Sequence, residues 1–336
     1  MDFDLTEDQK EIKRVAHELL ANRSPWAKVR QAAEAGEYDQ GLWRELVELG
    51  WPGIAVAEEH SGQGLGMVEL AVLAEELGYA CAAVPLVPAG AVAATISACA
   101  SQEARARLLP SLVAGERRGG FGTAGLAADA AGADVVVLLS DGEEAELVER
   151  PEAERFATID STRRYATVAG GGGSREPLEA GAADRIRVVL AAEVLGLCQR
   201  ALEMTLEYVK DRRQFGVPVG SFQAVAHRCA QMLLHTETVR SATYFAAWAT
   251  DADPERLPEA AALAAAAAAE GGRDVTASAI QAHGGIGFTW EADVHWLYKR
   301  AQLDTALLGG VGRHRAALAR HAAARVTSAA TPAPAA

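Results

Sequence analysis

Positive charge is in short supply in this chain. Its 32 lysines and arginines face 45 aspartates and glutamates, a formal net charge of −13. Nucleic acid and anionic membrane surfaces both attract proteins through clustered Lys and Arg, so this balance argues against either as a partner. Cysteine is scarce too. Cys81, Cys99, Cys198 and Cys229 lie far apart with no paired spacing, which suggests neither a zinc site nor a disulfide framework. They read as small core residues in a reducing cytoplasm. The longest unbroken apolar run, Ala260–Ala269, is nearly all alanine between Glu259 and Glu270, too short and too weakly hydrophobic to span a bilayer. The opening "MDFDLTEDQKEI" carries acids where a secretory signal would be basic and then apolar. Aromatic residues are few, only 6%, while half of the chain is hydrophobic and alanine dominates. That composition suits closely packed helices rather than a sandwich or barrel.

At 336 residues the chain exceeds what one hydrophobic core usually serves, so two or three domains are expected. The first third reads as helices. Thr6 and Gln9 form a capping-box pattern, followed by Ile12, Val15, Ala16, Leu19 and Leu20 on one face. A short helix carries Leu42, Trp43, Leu46 and Val47 and stops at Gly50; another runs through Val68, Ala71 and Leu77 to Gly78. "RARLLPSLVAG" closes this part. From about Gly119 the grammar changes to "ADVVVLL", "AELVER", "ERFATI" and "RYATVA", short runs separated by Gly, Asp and Pro, which is how strands read. The region ends in "GGGGS", read as a flexible or exposed turn, and its sixty or so residues leave room for a small sheet only. Helical pattern then returns in four long segments to about Arg325, which read as an antiparallel bundle. The expected division is a helical domain over 1–118, a reduced β-domain over 119–175, a four-helix bundle over 176–325 and a disordered tail over 326–336. The fold class is thus mainly α with a small central β-region.

Two motifs stand out. In "KDRRQFGVPVGSFQ", Lys210 to Gln223, Gly216 and Pro218 break one long helix and Ser221 is placed to cap the next. Arg212 and Arg213 sit at the end of the first helix, where cations favour the helix dipole, so C-capping is the plain structural reading. The functional reading is an arginine fork on phosphate oxygens, with Gln223 adding an amide for a nucleobase or ribose. In "QAHGGIGF", Gln281 to Phe288, three glycines permit tight turning and close approach of backbone to a ligand. A glycine cluster between helices is most often just a turn, and a lone histidine such as His283 is more often structural than catalytic.

Together, "DRRQFGVPVGSFQ" and "QAHGGIGFTWEADVHWLYKRA" resemble the C-terminal domain of the acyl-CoA dehydrogenase family, and "MDFDLTEDQKEIKR" with "ELGWPGIAVAEEHSGQGLGMVELAVLAEELG" resembles its start. The resemblance covers roughly residues 1–118 and 176–322. It implies FAD at a subunit interface, with these C-terminal motifs serving the flavin held mainly by a neighbouring subunit. Arg212 would contact the pyrophosphate with Gln214 and Phe215 beside it. Phe222 and Gln223 would flank the adenine end, and Gln281, Gly284 and Gly285 would approach the nucleotide from another helix junction.

Departures from the family pattern are as informative. "GGFGTAGLAADAAGADVVVLLSDGEEAE" has neither the Thr-Glu-Pro-type strand end nor the Trp/Ile-Thr-Asn segment that hold the flavin ring within one subunit. The chemistry also needs a carboxylate within reach of the substrate α-carbon. The two places where the family puts a glutamate fall at Leu308 and about Ile186, neither able to accept a proton. Glu193 and Asp304 are the nearest substitutes, each with an ordinary solvated carboxylate as the plainer reading. The chain therefore resembles the short, base-less subunit of actinobacterial heteromeric (α2β2) acyl-CoA dehydrogenases, completing FAD sites for a longer partner. The resemblance implies an acyl-CoA substrate, with a sterol-derived acyl group as one option, and electron-transfer flavoprotein as acceptor. Two alternatives stand beside it: a homo-oligomeric acyl-CoA or acyl-carrier-protein dehydrogenase with a relocated base, and a flavin-free assembly subunit.

Overall fold

The computed structural model describes residues 4–140 and 144–330. Six helices lead: α1 (Glu7–Arg23), α2 (Trp26–Ala35), α3 (Gln40–Glu48), α4 (Met67–Tyr79), α5 (Leu86–Cys99) and α6 (Gln102–Val113). The capping box is formed at α1, where the Thr6 hydroxyl accepts from the Gln9 amide and the Gln9 side chain accepts from Thr6 N–H. Ala16 and Leu20 are buried and Ile12 and Leu19 pack against the core, but Val15 points outward. Helix α5 lacks the amphipathic signature that marks α1. In α5 almost every residue is buried, so no polar face interrupts the apolar one.

Seven strands follow: β1 (Gly119–Gly122), β2 (Ala127–Ala128), β3 (Val135–Leu139), β4 (Ala145–Glu149), β5 (Pro151–Phe156), β6 (Tyr165–Gly172) and β7 (Arg175–Pro177). They form one sheet in the order β5-β6-β2-β1-β3-β4-β7, antiparallel except for the parallel β1–β3 pair. The Val-rich run pairs in register with β4, Val136 opposite Val148 and Val137 opposite Leu147. Strand β6 runs through the first three glycines of "GGGGS", so that segment is partly strand rather than wholly a turn.

The second helical part contains α7 (Ala182–Asp211), α8 (Gln223–Ala252), α9 (Leu257–His283), α10 (Val294–Leu308) and α11 (Val311–Ala330). A small hairpin, β8 (Arg213–Gln214) with β9 (Val217–Pro218), joins α7 to α8. The last expected segment is broken in two at Gly309 and Gly310, both at positive φ, so five helices stand where four were read. Helix α11 also carries the chain to Ala330, into the stretch expected to be disordered; 331–336 lie outside the described residues. One hydrophobic core runs from the first helices through the sheet face into α7 and α9.

Close helix contact depends on the smallest side chains. Gly196 of α7 faces α4 so tightly that a Cβ there would lie 1.9 Å from the Glu75 carbonyl oxygen, and one on Gly78 would lie 2.1 Å from that of Glu193. The Gly196→Ala substitution gains helix propensity, worth up to ~1 kcal/mol, yet must force two backbones apart. We expect a net loss of about 1–3 kcal/mol in denaturant unfolding. Stability equal to or above the parent would show that α4 and α7 do not touch there.

Candidate functional site: a surface hairpin and a filled interior

Helix α7 ends at Arg212, whose backbone N–H donates to the Tyr208 carbonyl. The two residues between β8 and β9, Phe215 and Gly216, both have positive φ (51° and 82°). That is what a two-residue type I′ turn requires, and it is strained for a phenylalanine. The turn lifts the Phe215 ring to 93% exposure, edge-on to Phe222 at 6.2 Å between ring centroids. Arg212, Arg213, Gln214 and Gln223 are exposed around it. Ser221 does not cap α8. Its hydroxyl donates back to the Pro218 carbonyl, and the N-cap residue of α8 is Phe222, which has no side-chain group to cap with.

The end of α9 comes to the same corner. His283 donates from Nδ1 to the Ala279 carbonyl (2.7 Å) and stacks on Tyr208 of α7 at 4.4 Å, tying the two helix ends together. Burial holds its pKa below the usual histidine value. Gly284 then takes φ 66°, ψ −144°, a conformation open to glycine alone, and neither it nor Gly285 has an atom within 4 Å of where a Cβ would stand. Gln281 shares a surface groove of about 680 Å³ with Ala224 and Arg228 of α8. The structure thus brings the two sequence motifs together on one solvent-facing surface, with bare backbone and amide and guanidinium groups pointing outward.

The interior is the opposite case. Arg163, in the loop between β5 and β6, pairs with Glu193 of α7 and, at 3.0 Å, with Asp304 of α10. Arg300 of α10 reaches Asp160 (2.7 Å), Glu193 (2.8 Å) and the Thr162 hydroxyl (2.5 Å), while Tyr165 donates to Asp160 at 3.0 Å. Glu193 and Asp304 have 0% exposure. They are neither solvated carboxylates nor groups with open space beside a substrate. Three carboxylates meet two guanidiniums, leaving one surplus negative charge if all ionise. Burial, reinforced by the neighbouring Glu193 charge, raises the Asp304 pKa well above the usual carboxylate range despite Arg163 and Arg300. Burial opposes ionisation of Asp160 as well, but Arg300 and the Thr162 hydrogen bonds outweigh it and hold that pKa low. A proton on Asp304 would balance the cluster. The sequence reading missed Arg163, Arg300 and Asp160 here. A signal existed in α10, where Arg300 and Asp304 share the buried face with Leu297 and Leu308.

Comparison with known proteins agrees with the fold. Residues 6–116 match the acyl-CoA dehydrogenase N-terminal domain and residues 180–323 its C-terminal domain. The chain is 34% identical over 307 residues to acyl-CoA dehydrogenase IpdE2 of Mycobacterium tuberculosis, covering 90% of this chain and 93% of that one. The chain belongs to the acyl-CoA dehydrogenase family. Among solved structures, the Tcur3481–Tcur3483 steroid ACAD superposes with a TM-score of 0.85 at 28% identity, covering 96% of this chain and 99% of that one. The ChsE4–ChsE5 complex of M. tuberculosis does so with 0.84 at 25%, covering 99% and 100%. In this member of the family, Leu308 and Ile186 are both core residues. Among the described residues no group of His, Cys, Asp and Glu could hold a metal, no helix is long and apolar enough to cross a membrane, and all four cysteines are free and buried.

The charge cluster makes two predictions. Arg300→Met leaves Asp160 without its cationic partner and Glu193 with Arg163 alone, and should cost about 3–5 kcal/mol in denaturant unfolding, whereas Arg212→Ala should not move the melting temperature. A loss below about 1 kcal/mol for Arg300→Met would contradict the buried pairing. The second concerns pH. The raised Asp304 pKa means that the folded state binds the proton more tightly than the unfolded chain, whose aspartates titrate near ~3.9. Its contribution to stability is therefore fully present below that value and lost as pH rises through the folded one. Asp304→Asn keeps the neutral form throughout. Subtracting its melting-temperature profile from the parent's should leave a curve that falls as pH rises; a flat difference would mean that Asp304 is ionised in the folded protein.

Proposed function

We propose that this chain is the base-less subunit of a heteromeric acyl-CoA dehydrogenase, supplying the adenosine and pyrophosphate side of an interfacial FAD site to a longer partner. The observation that carries this reading is the contrast between the two regions. Arg212, Gln214, Phe215, Phe222, Gln223, Gln281, Gly284 and Gly285 are exposed at the surface, whereas Leu308 and Ile186 are buried, and the nearest acids, Glu193 and Asp304, are buried and held by Arg163, with Arg300 also on Glu193. The residues fit half of the cofactor. An exposed guanidinium suits a diphosphate, and the side-chain amides of Gln223 and Gln281 suit an adenosine. They do not fit the other half, for the two candidate bases, Glu193 and Asp304, are buried against arginines, and the sequence lacks the strand-end motifs that clasp the flavin ring. FAD, when bound, accepts the hydride lost from the substrate β-carbon. The α-proton would go to a carboxylate of the partner, and this chain would bind and orient the nucleotide end.

The names of the relatives extend the reading. IpdE2 is an acyl-CoA dehydrogenase, one structural neighbour is a steroid ACAD and another is a two-component complex. The substrate we infer is an acyl-CoA thioester with a bulky or sterol-derived acyl group, handled in the cytoplasm by an α2β2 assembly that passes its electrons to electron-transfer flavoprotein.

Expression alone and together with a longer acyl-CoA dehydrogenase chain from the same operon tests the assembly. Flavin absorbance should appear only in the pair; yellow protein from this chain alone would favour a homo-oligomeric enzyme, and colourless protein in both cases an assembly subunit without flavin. Within the pair, Arg212→Ala should weaken flavin retention roughly tenfold to a hundredfold, the loss of one charge-assisted contact. Asp304→Asn should leave turnover within a few-fold, whereas loss of a true general base costs about 10²–10⁴. Glu193→Gln is uninformative for catalysis because it breaks both buried arginine pairs.

A further inference from the structure

On the far side of the α9 end lies a second groove, of about 560 Å³, between the turn at Gly287 and Phe288, the start of α10 and the β5–β6 loop. That volume is within the ordinary range for small-ligand sites, roughly 300–1,000 Å³. Its walls include Ile280, with Ile159, Phe288 and Trp290 exposed around it, three large apolar side chains held open to solvent at one place. Gln281, Thr289, Tyr298, His295 and Lys299 supply its polar groups, and the last two are unusual. His295 is 7% exposed, lines the groove, and has no hydrogen-bond partner at either ring nitrogen. Lys299, one turn further along α10, has no carboxylate partner among the described residues. Its Nζ lies instead 4.1 Å and 4.7 Å from the ring centroids of Trp290 and Trp296.

We propose that this groove binds an amphipathic polycyclic carboxylic acid, with its flat apolar body on Trp290 and Phe288, its carboxylate on Lys299 and a hydroxyl on His295. Each part answers something the groove leaves open. Indole and phenyl faces favour flat ring systems. A half-buried lysine paired only with aromatic rings lacks the anion that a charge-assisted hydrogen bond would supply. Burial, with the Lys299 charge adding to it, lowers the His295 pKa to about 4, so the ring is neutral at pH 7 and offers one donor and one acceptor nitrogen. A hydroxyl satisfies whichever nitrogen faces the groove. A nucleotide phosphate fits less well, since Lys299 is the sole cation lining the site and no arginine joins it. This would be a site for a free acid, separate from the thioester chemistry of the family.

The test is titration of 6-hydroxy-2-naphthoate into the full chain and into the co-purified pair, followed by indole fluorescence and calorimetry. Saturable one-to-one binding is expected. Lys299→Met should weaken it about tenfold or more, Lys299→Arg should restore most of it, and 2-naphthol, which lacks the carboxylate, should bind the parent as poorly as naphthoate binds Lys299→Met. Melting temperatures check that both variants fold. Because Gln281 also borders this groove, Arg212→Ala and saturating FAD are included and should leave the affinity unchanged. Non-saturable uptake, equal affinity in Lys299→Met, or loss of binding with Arg212→Ala or FAD would overturn the proposal. Binding to the chain that disappears in the pair would give the groove to the partner and overturn it too.

Discussion

Two arginines that never see water, Arg163 and Arg300, hold the centre of this molecule. Between them they bind carboxylates from α7, α10 and the β5–β6 loop, so the sheet cannot shift against the helices without stranding a charge. Buried ion pairs of this kind add little net stability compared with apolar packing, but losing one partner is severe. Their main effect is therefore geometric. They fix how the sheet docks, and they fill the space between Asp160, Glu193 and Asp304.

With the interior closed, the groups suited to ligands are displaced to helix ends. The α7–α8 hairpin holds Phe215 at positive φ and almost fully exposed, two unfavourable features against which the chain sets the β8–β9 pairing and an edge contact to Phe222. The end of α9 adds a glycine in a conformation that no other residue adopts readily. Both strains lie on the same corner, joined by the Tyr208–His283 stack. On the proposed function, these are the features that a neighbouring subunit's nucleotide would cover.

What the sequence revealed followed the range of the physics behind it. The Thr6–Gln9 capping box and the Val135–Leu139 strand are set by neighbours a few residues apart, and both were readable. Helix α5 was not, because it is buried on nearly all sides and shows no period. Strands β1 and β2 were not, because Gly and Ala carry no strand preference. Ser221 looked like a cap, but the tight Val219–Ser221 turn gives its hydroxyl a nearer acceptor. The charge cluster was out of reach for a different reason. Arg163 finds one partner 30 residues away and another 141 away, and nothing local distinguishes them from surface acids. The candidate FAD residues were legible because two short motifs carried a family resemblance.

The alanine run of α9 has a consequence for what the bundle can contain. Ala260, Ala261, Ala264, Ala265, Ala268 and Ala269 are all buried, so α9 meets its neighbours through methyl groups. A wall built of methyl groups has no rotamers to turn aside. It cannot open a pocket by side-chain rearrangement, as a wall of leucine or methionine can. Room beside that face of α9 can come only from the longer side chains of the helices that meet it, such as Leu197 of α7 and Met232 of α8.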